Sequence, residues 1–109
     1  MEINRGDVVV IALPGDYGKP RPALVVQADA FLGLQSVTVL RLTSDLHDAP
    51  LVRIDVQPDT RNGLRQRSQV MIDKSVSAPR EKIGQRLGSL DPSAMRTVDA
   101  ALKRFLGLD

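Results

Sequence analysis

Gly18-Lys19-Pro20-Arg21-Pro22-Ala23-Leu24-Val25-Val26 passes from loop to buried strand within one short stretch. Glycine, two prolines and two cations make the first half a basic loop. The second half is an apolar, β-branched run that reads as buried strand. Arg21 sits at the junction, and a guanidinium held between prolines at a strand mouth is placed to grip a phosphate.

The same alternation of turn and short strand repeats outward in both directions. Arg5-Gly6-Asp7 is a turn and Val8 to Leu13 a buried strand, followed by turn chemistry at Pro14-Gly15-Asp16-Tyr17-Gly18. Ala23 to Ala28 forms the second strand. Asp29 is positioned to cap one helical turn through Leu32. Ser36 to Thr43 is the third strand, with Val37, Val39, Arg41 and Thr43 on one face and Thr38, Leu40 and Leu42 on the other. A polar loop from Ser44 to Pro50 follows. Leu51 to Gln57 alternates, with Val52, Ile54 and Val56 inward and Arg53 and Asp55 outward. Asn62-Gly63 signals a tight reversal before the strand Ser68 to Asp73. Lys82 to Leu90 is a last extended segment, bent or bulged at its two glycines. Asp91-Pro92-Ser93 starts a helix that runs to about Leu106 and stops at Gly107. Met95, Val98, Leu102 and Phe105 form its apolar stripe. About six short strands and one C-terminal helix, without βαβ alternation, predict a mainly β fold built as a small, bent antiparallel barrel in a single domain over 1–109.

Composition narrows the chemistry. Of 109 residues, 42% are apolar but only 3% aromatic, so the core is aliphatic and no stacking platform for single-stranded nucleic acid is available. The absence of cysteine removes disulfides, thiolate catalysis and Cys-based metal sites, and a lone histidine, His47, cannot form a His cluster. We therefore expect no cofactor and no metal. No apolar run reaches membrane-spanning length and the N-terminus has no signal-peptide core, which points to the cytoplasm. The net charge is only +2, yet residues 61–109 hold ten cations against five carboxylates, and eleven of the fifteen cations are Arg. Arginine suits bidentate phosphate contact, although such a run also serves as a solvated basic face.

Arg21, Thr43, Ser44 and Asp73 each end a predicted strand. Such a set suits metal-free RNA cleavage, in which the RNA supplies its own 2′-hydroxyl nucleophile. Arg21 would neutralise the developing phosphorane charge, Thr43 would donate to a non-bridging oxygen, and Asp73 would take the proton. Lys19, Ser44, His47, Arg61, Arg65, Arg67, Gln69, Lys74 and Arg80 are the candidate RNA-binding residues. Each also has an ordinary reading: Arg21 paired with Asp16, Thr43 and Ser44 as strand-end caps, Asp73 as a strand terminator, His47 as a solvated loop residue.

Taken in order, Arg5-Gly6-Asp7-Val8-Val9, Gly18 to Val26, Leu42-Thr43-Ser44, Gln69-Val70-Met71-Ile72-Asp73-Lys74, and Ile83-Gly84 to Leu90 with its helix resemble the MazF/PemK toxins of prokaryotic type II toxin–antitoxin modules. The resemblance covers nearly the whole chain. It implies an SH3-like small barrel with a C-terminal helix, usually a homodimer. It implies a metal-independent, sequence-specific endoribonuclease that cuts single-stranded mRNA to a 2′,3′-cyclic phosphate and a 5′-hydroxyl. It also implies a cognate antitoxin whose acidic extended tail fills the RNA groove, with operator DNA bound only through that complex. Arg21 and Thr43 match the family's catalytic arginine and threonine, and Asp73 the base of PemK-type members. Met71 stands where those members carry an arginine, which favours an Arg21–Thr43 arrangement. Two alternatives remain at this point: a non-enzymatic, CcdB-like gyrase inhibitor, or a weakened member that mainly binds antitoxin and operator DNA.

Overall fold

The computed structural model describes residues 2–15 and 18–109. Six strands form one antiparallel sheet: β1 Asp7–Ile11, β2 Arg21–Val25, β3 Ser36–Thr43, β4 Arg53–Val56, β5 Ser68–Pro79 and β6 Ile83–Ser89, in the order β4-β5-β3-β2-β1-β6. One helix, α1 Pro92–Leu106, follows. This is the mainly β architecture with a C-terminal helix that the sequence predicts.

The apolar runs of β1 and β2 are continuous because these strands are buried on both faces. Val9, Ile11, Ala23, Val25, Val37 and Val39 enter one core cluster. Their neighbours Val8, Leu24, Leu40 and Leu42 enter a second, which also holds Val98 and Ala101 of α1. Val52, Ile54 and Val56 join this helix-side cluster, as their alternation predicts.

The sheet curls until the connection after β4 reaches β6. The Ser89 N–H donates to the Arg61 carbonyl at 2.9 Å. Two glycines permit the approach: a Cβ at Gly88 would lie 2.1 Å from the Arg61 carbonyl oxygen, and one at Gly63 2.2 Å from that of Leu87. Asn62-Gly63 is therefore not a two-residue hairpin. Asn62 is buried, and its amide binds the Gln57 carbonyl and the Asp59 and Leu64 N–H groups, stapling a long connection.

Other expectations change at their edges. β1 ends at Ile11, and β2 runs Arg21–Val25, so Arg21 is the first strand residue. β5 continues past Asp73 to Pro79, with a bulge opposite Arg41 where Leu40 faces Ser75 and Leu42 faces Val70. Asp29 does not cap its turn, whose cap position is Ala28; its carboxylate instead accepts the Arg5 N–H at 2.6 Å. Asp91 does cap α1, accepting the Ala94 N–H at 2.8 Å, and Gly107 closes it with φ +73°. Phe105, placed in the apolar stripe by its spacing, is 51% exposed.

Candidate functional site

Antiparallel pairing gathers strand ends that are distant in sequence. Arg21 opens β2 opposite Ile11, Thr43 ends β3 opposite Gln69, and Ser68 starts β5 beside them. Together with β6 and the β4–β5 connection they wall a cavity of about 690 Å³. Its polar lining is Arg21, Thr43, Ser44, Arg65, Gln66, Ser68 and Gln85, over an apolar floor of Val10, Leu42, Leu64 and Leu87. Among the described residues two guanidiniums line it and no carboxylate does. Such a lining favours an anion and offers it several hydrogen-bond donors.

The individual groups suit that ligand. Pro20 and Pro22 flank Arg21 in the cavity wall, restricting the backbone that carries the guanidinium. Among the described residues no carboxylate pairs with it. The possible Asp16 pairing falls outside the described residues. Thr43 Oγ1 accepts the Asp45 N–H at 3.0 Å, which uses an oxygen lone pair and leaves the hydroxyl proton for donation.

Asp73 does not line this cavity. Its carboxylate is hydrogen-bonded and ion-paired with Arg53, which lies opposite Met71 in the β4–β5 register. Burial pushes the Asp73 carboxyl up, but the Arg53 hydrogen bond and a backbone hydrogen bond outweigh it and hold the group below its ordinary value. A carboxylate so engaged is a weaker base than a free one. Arg53 itself, expected outward, has a side chain only 14% exposed, and its Nε is buried without a partner. Alternation identifies the face of a strand; it cannot show which carboxylate waits across the register.

The expected RNA-binding residues divide in the same way. Ser44 and Arg65 line the cavity. Lys19 and Lys74 are exposed, Lys19 just before Pro20 and Lys74 on the β5 bulge. Arg61 reaches Ser89 Oγ at 3.4 Å. Arg67 pairs with Asp55 at 2.9 Å. His47 is exposed, with Nε2 3.3 Å from Asp45 Oδ2. Arg80 is not at this end of the barrel: it donates to the Leu32 carbonyl beside the start of β3, while the cavity lies at the end of that strand, roughly 20 Å away at strand rise.

Gln69, also expected at the RNA, is turned into the protein. It is 4% exposed and its amide is fully engaged. Oε1 accepts the His47 N–H at 3.0 Å, while Nε2 donates to the His47 carbonyl and to Asp55 Oδ1, each at 2.9 Å. The Gln69 hydrogen bond, with that from Arg67, holds the Asp55 carboxyl below its ordinary value. The sequence reading missed Gln66 and Gln85 in the cavity wall, since neither lies in a pattern that separates a ligand-facing glutamine from a solvated one.

The chain also has close relatives. The model of the family described as the PemK-like, MazF-like toxin of type II toxin–antitoxin systems matches residues 4–106. A probable endoribonuclease MazF of Mycolicibacterium smegmatis is 43% identical over 107 residues, covering 97% of this chain and 98% of that protein. Among solved structures, an endoribonuclease in complex with its cognate antitoxin, from a mycobacterial species, superposes with a TM-score of 0.83 at 25% identity, covering 99% of this chain and 98% of that one. The Mycobacterium tuberculosis toxin MazF-mt6 gives 0.81 at 25% identity, covering 94% and 98%.

Proposed function

This chain belongs to the PemK-like, MazF-like toxins of type II toxin–antitoxin systems, and from that membership we propose that it is an endoribonuclease that cuts single-stranded mRNA in the Arg21–Thr43 cavity. The observation that carries the assignment of the site is the convergence of Arg21, Thr43, Ser44 and Arg65 on one cavity, with no carboxylate among the described residues that line it. A phosphodiester is the ligand that such a lining favours.

The chemistry follows from what these groups can do. The ribose 2′-oxygen attacks the adjacent phosphorus, the bond from phosphorus to the 5′-oxygen breaks, and the products are a 2′,3′-cyclic phosphate and a 5′-hydroxyl. One proton leaves the 2′-hydroxyl and one reaches the 5′-oxygen. Arg21 stays protonated throughout and offsets the charge that builds on the phosphorane. The Thr43 hydroxyl donates to a non-bridging oxygen. Asp73, engaged by Arg53 outside the cavity, is given no proton step. Among the described residues no three His, Asp or Glu side chains gather as a metal site. The reading keeps the metal-independent cleavage that the family resemblance implies.

The same cavity is the natural seat of an acidic, extended antitoxin tail competing with RNA, and a relative of this fold is seen with its cognate antitoxin. Operator DNA would be met only through that complex. Phe105, Leu106 and Leu108 are exposed together at the end of α1, apolar surface consistent with a homodimer. Among the described residues no helix is long and apolar enough to cross a membrane, and an mRNA substrate places the work in the cytoplasm.

The test is a long single-stranded RNA incubated with the protein in excess chelator, beside Arg21→Ala. Cleavage that survives chelation, yields cyclic phosphate ends and is lost in Arg21→Ala is the expected outcome. Intact RNA with the wild-type protein overturns the reading.

A further inference from the structure

Gln69 occupies a rung shared by three strands, opposite Thr43 on one side and Asp55 on the other. From there its side chain brackets the backbone of His47 on both sides, as a neighbouring strand would. Its orientation is fixed by its partners: the His47 N–H requires an oxygen, while the His47 carbonyl and the Asp55 carboxylate require N–H groups. Asp55 is held in turn by Arg67 at 2.9 Å. His47 is three residues beyond Ser44, and Thr43 Oγ1 grips the Asp45 N–H between them. The loop from Ser44 to His47 is thus anchored at both ends by side chains of the sheet. It forms part of the cavity wall at Ser44, while the exposed His47 lines a separate hollow with Arg53, Asp55 and Thr97.

We propose that Gln69 is a positioning residue that makes this loop a fixed wall of the RNA site, and that the fixed wall sets which nucleotides the site accepts. The inference rests on the endoribonuclease reading above. Gln69 never touches RNA. It acts through the His47 backbone, and through Asp45 it holds the direction in which Thr43 presents its hydroxyl. A loop released from the latch samples several positions, so cleavage slows and the sequence preference broadens together. A merely structural glutamine would lower stability and leave preference alone.

Three variants in the full-length protein test this: Gln69→Met, which keeps the volume but removes the amide; Gln69→Glu, which sets a carboxylate against Asp55; and Gln69→Glu with Asp55→Asn, which restores one hydrogen bond with its polarity reversed. Amide exchange at His47 reports the latch without reference to RNA. Sequencing of the cleavage sites of a randomised RNA, with kcat and KM on the preferred site, reports the wall. The expected result is faster His47 exchange in Gln69→Met, a kcat lowered roughly ten- to a hundred-fold, and a broadened cleavage profile. Gln69→Glu shows the same or worse, and is partly rescued by Asp55→Asn. Faster exchange with an unchanged profile and an unchanged kcat overturns the proposal and leaves the endoribonuclease reading standing. Unchanged exchange in Gln69→Met overturns the latch itself. A wild-type protein that leaves RNA intact overturns the endoribonuclease reading, and the wall falls with it, even where exchange shows the latch.

Discussion

A guanidinium that lines a cavity and a guanidinium locked to a carboxylate are different reagents, and Arg21 and Arg53 are those two cases. Arg21 faces the cavity and can answer charge that develops during a reaction. Arg53 is engaged by Asp73 in the ground state. Arg21→Lys keeps the charge but loses the planar fork, so kcat falls roughly a hundred-fold, measured on a single-site RNA. Asp73→Asn leaves cleavage within about threefold at neutral pH, because the carboxylate lies outside the cavity. Its effect is on stability. The folded-state value of Asp73 lies below its ordinary 3.8. As pH falls, the unfolded chain takes up this proton first, so stability present above about pH 4 is lost as pH drops through the folded value. Asp73→Asn removes that contribution, flattening the acid limb of urea-unfolding stability against pH. At neutral pH it costs about 1–3 kcal/mol, because Arg53 stays largely buried without its partner. Arg21 and Thr43 were legible because strand ends carry local signals. The Arg53–Asp73 pair was not, because it depends on a register set by residues far apart in the chain.

At the level of elements, local signals and long-range contacts use the same residues for different reasons. α1 was readable end to end: Asp91 caps it, Pro92 starts it and left-handed Gly107 stops it, all within the helix's own neighbourhood. Asp91→Ala should cost about 1 kcal/mol in chemical denaturation. β3 was equally legible, since Ser36 to Thr43 is a short run of strand formers whose apolar residues Val37 and Val39 share one face and Leu40 and Leu42 the other. Asn62-Gly63 was misread. The dipeptide has hairpin chemistry, but here the asparagine staples a long connection and the glycine admits the Leu87 carbonyl. No local pattern separates those uses. Gly88 makes the parallel case testable, because backbone rather than a flexible side chain blocks its Cβ. Gly88→Ala must open the contact between β6 and the β4–β5 connection, at about 1–3 kcal/mol or more. Gly33→Ala, with open space around it, is the control and stays within about 0.5 kcal/mol. Equal Tm values for the two variants would mean that the barrel is not closed at Gly88.

Over the whole molecule, the cations counted along the chain are not the cations offered to one ligand. Residues 61–109 hold most of the cations in the sequence, but folding disperses them. Arg65 lines the cavity. Arg67 pairs with Asp55, and Arg86 Nε lies 3.1 Å from the buried carboxylate of Asp7. Arg80 is tied to Leu32 at the other end of the barrel. With few aromatic side chains to stack on bases, affinity for RNA has to come from charge, and charge-driven binding releases counterions. The logarithm of the affinity therefore falls linearly with the logarithm of salt, by about 0.7 for each phosphate neutralised on a single strand. An RNA bearing a 2′-deoxy sugar at the cleavage site can be bound without being cut, so fluorescence anisotropy across salt concentrations measures that slope. Arg65→Ala should reduce its magnitude by about 0.7 and weaken binding to every sequence alike. Arg80→Ala should leave the slope unchanged, because that guanidinium is bound to its own chain and faces away from the cavity end. Equal losses from the two substitutions would mean that RNA follows the basic run along the outside of the barrel, and a slope near zero would mean that binding does not rest on charge at all.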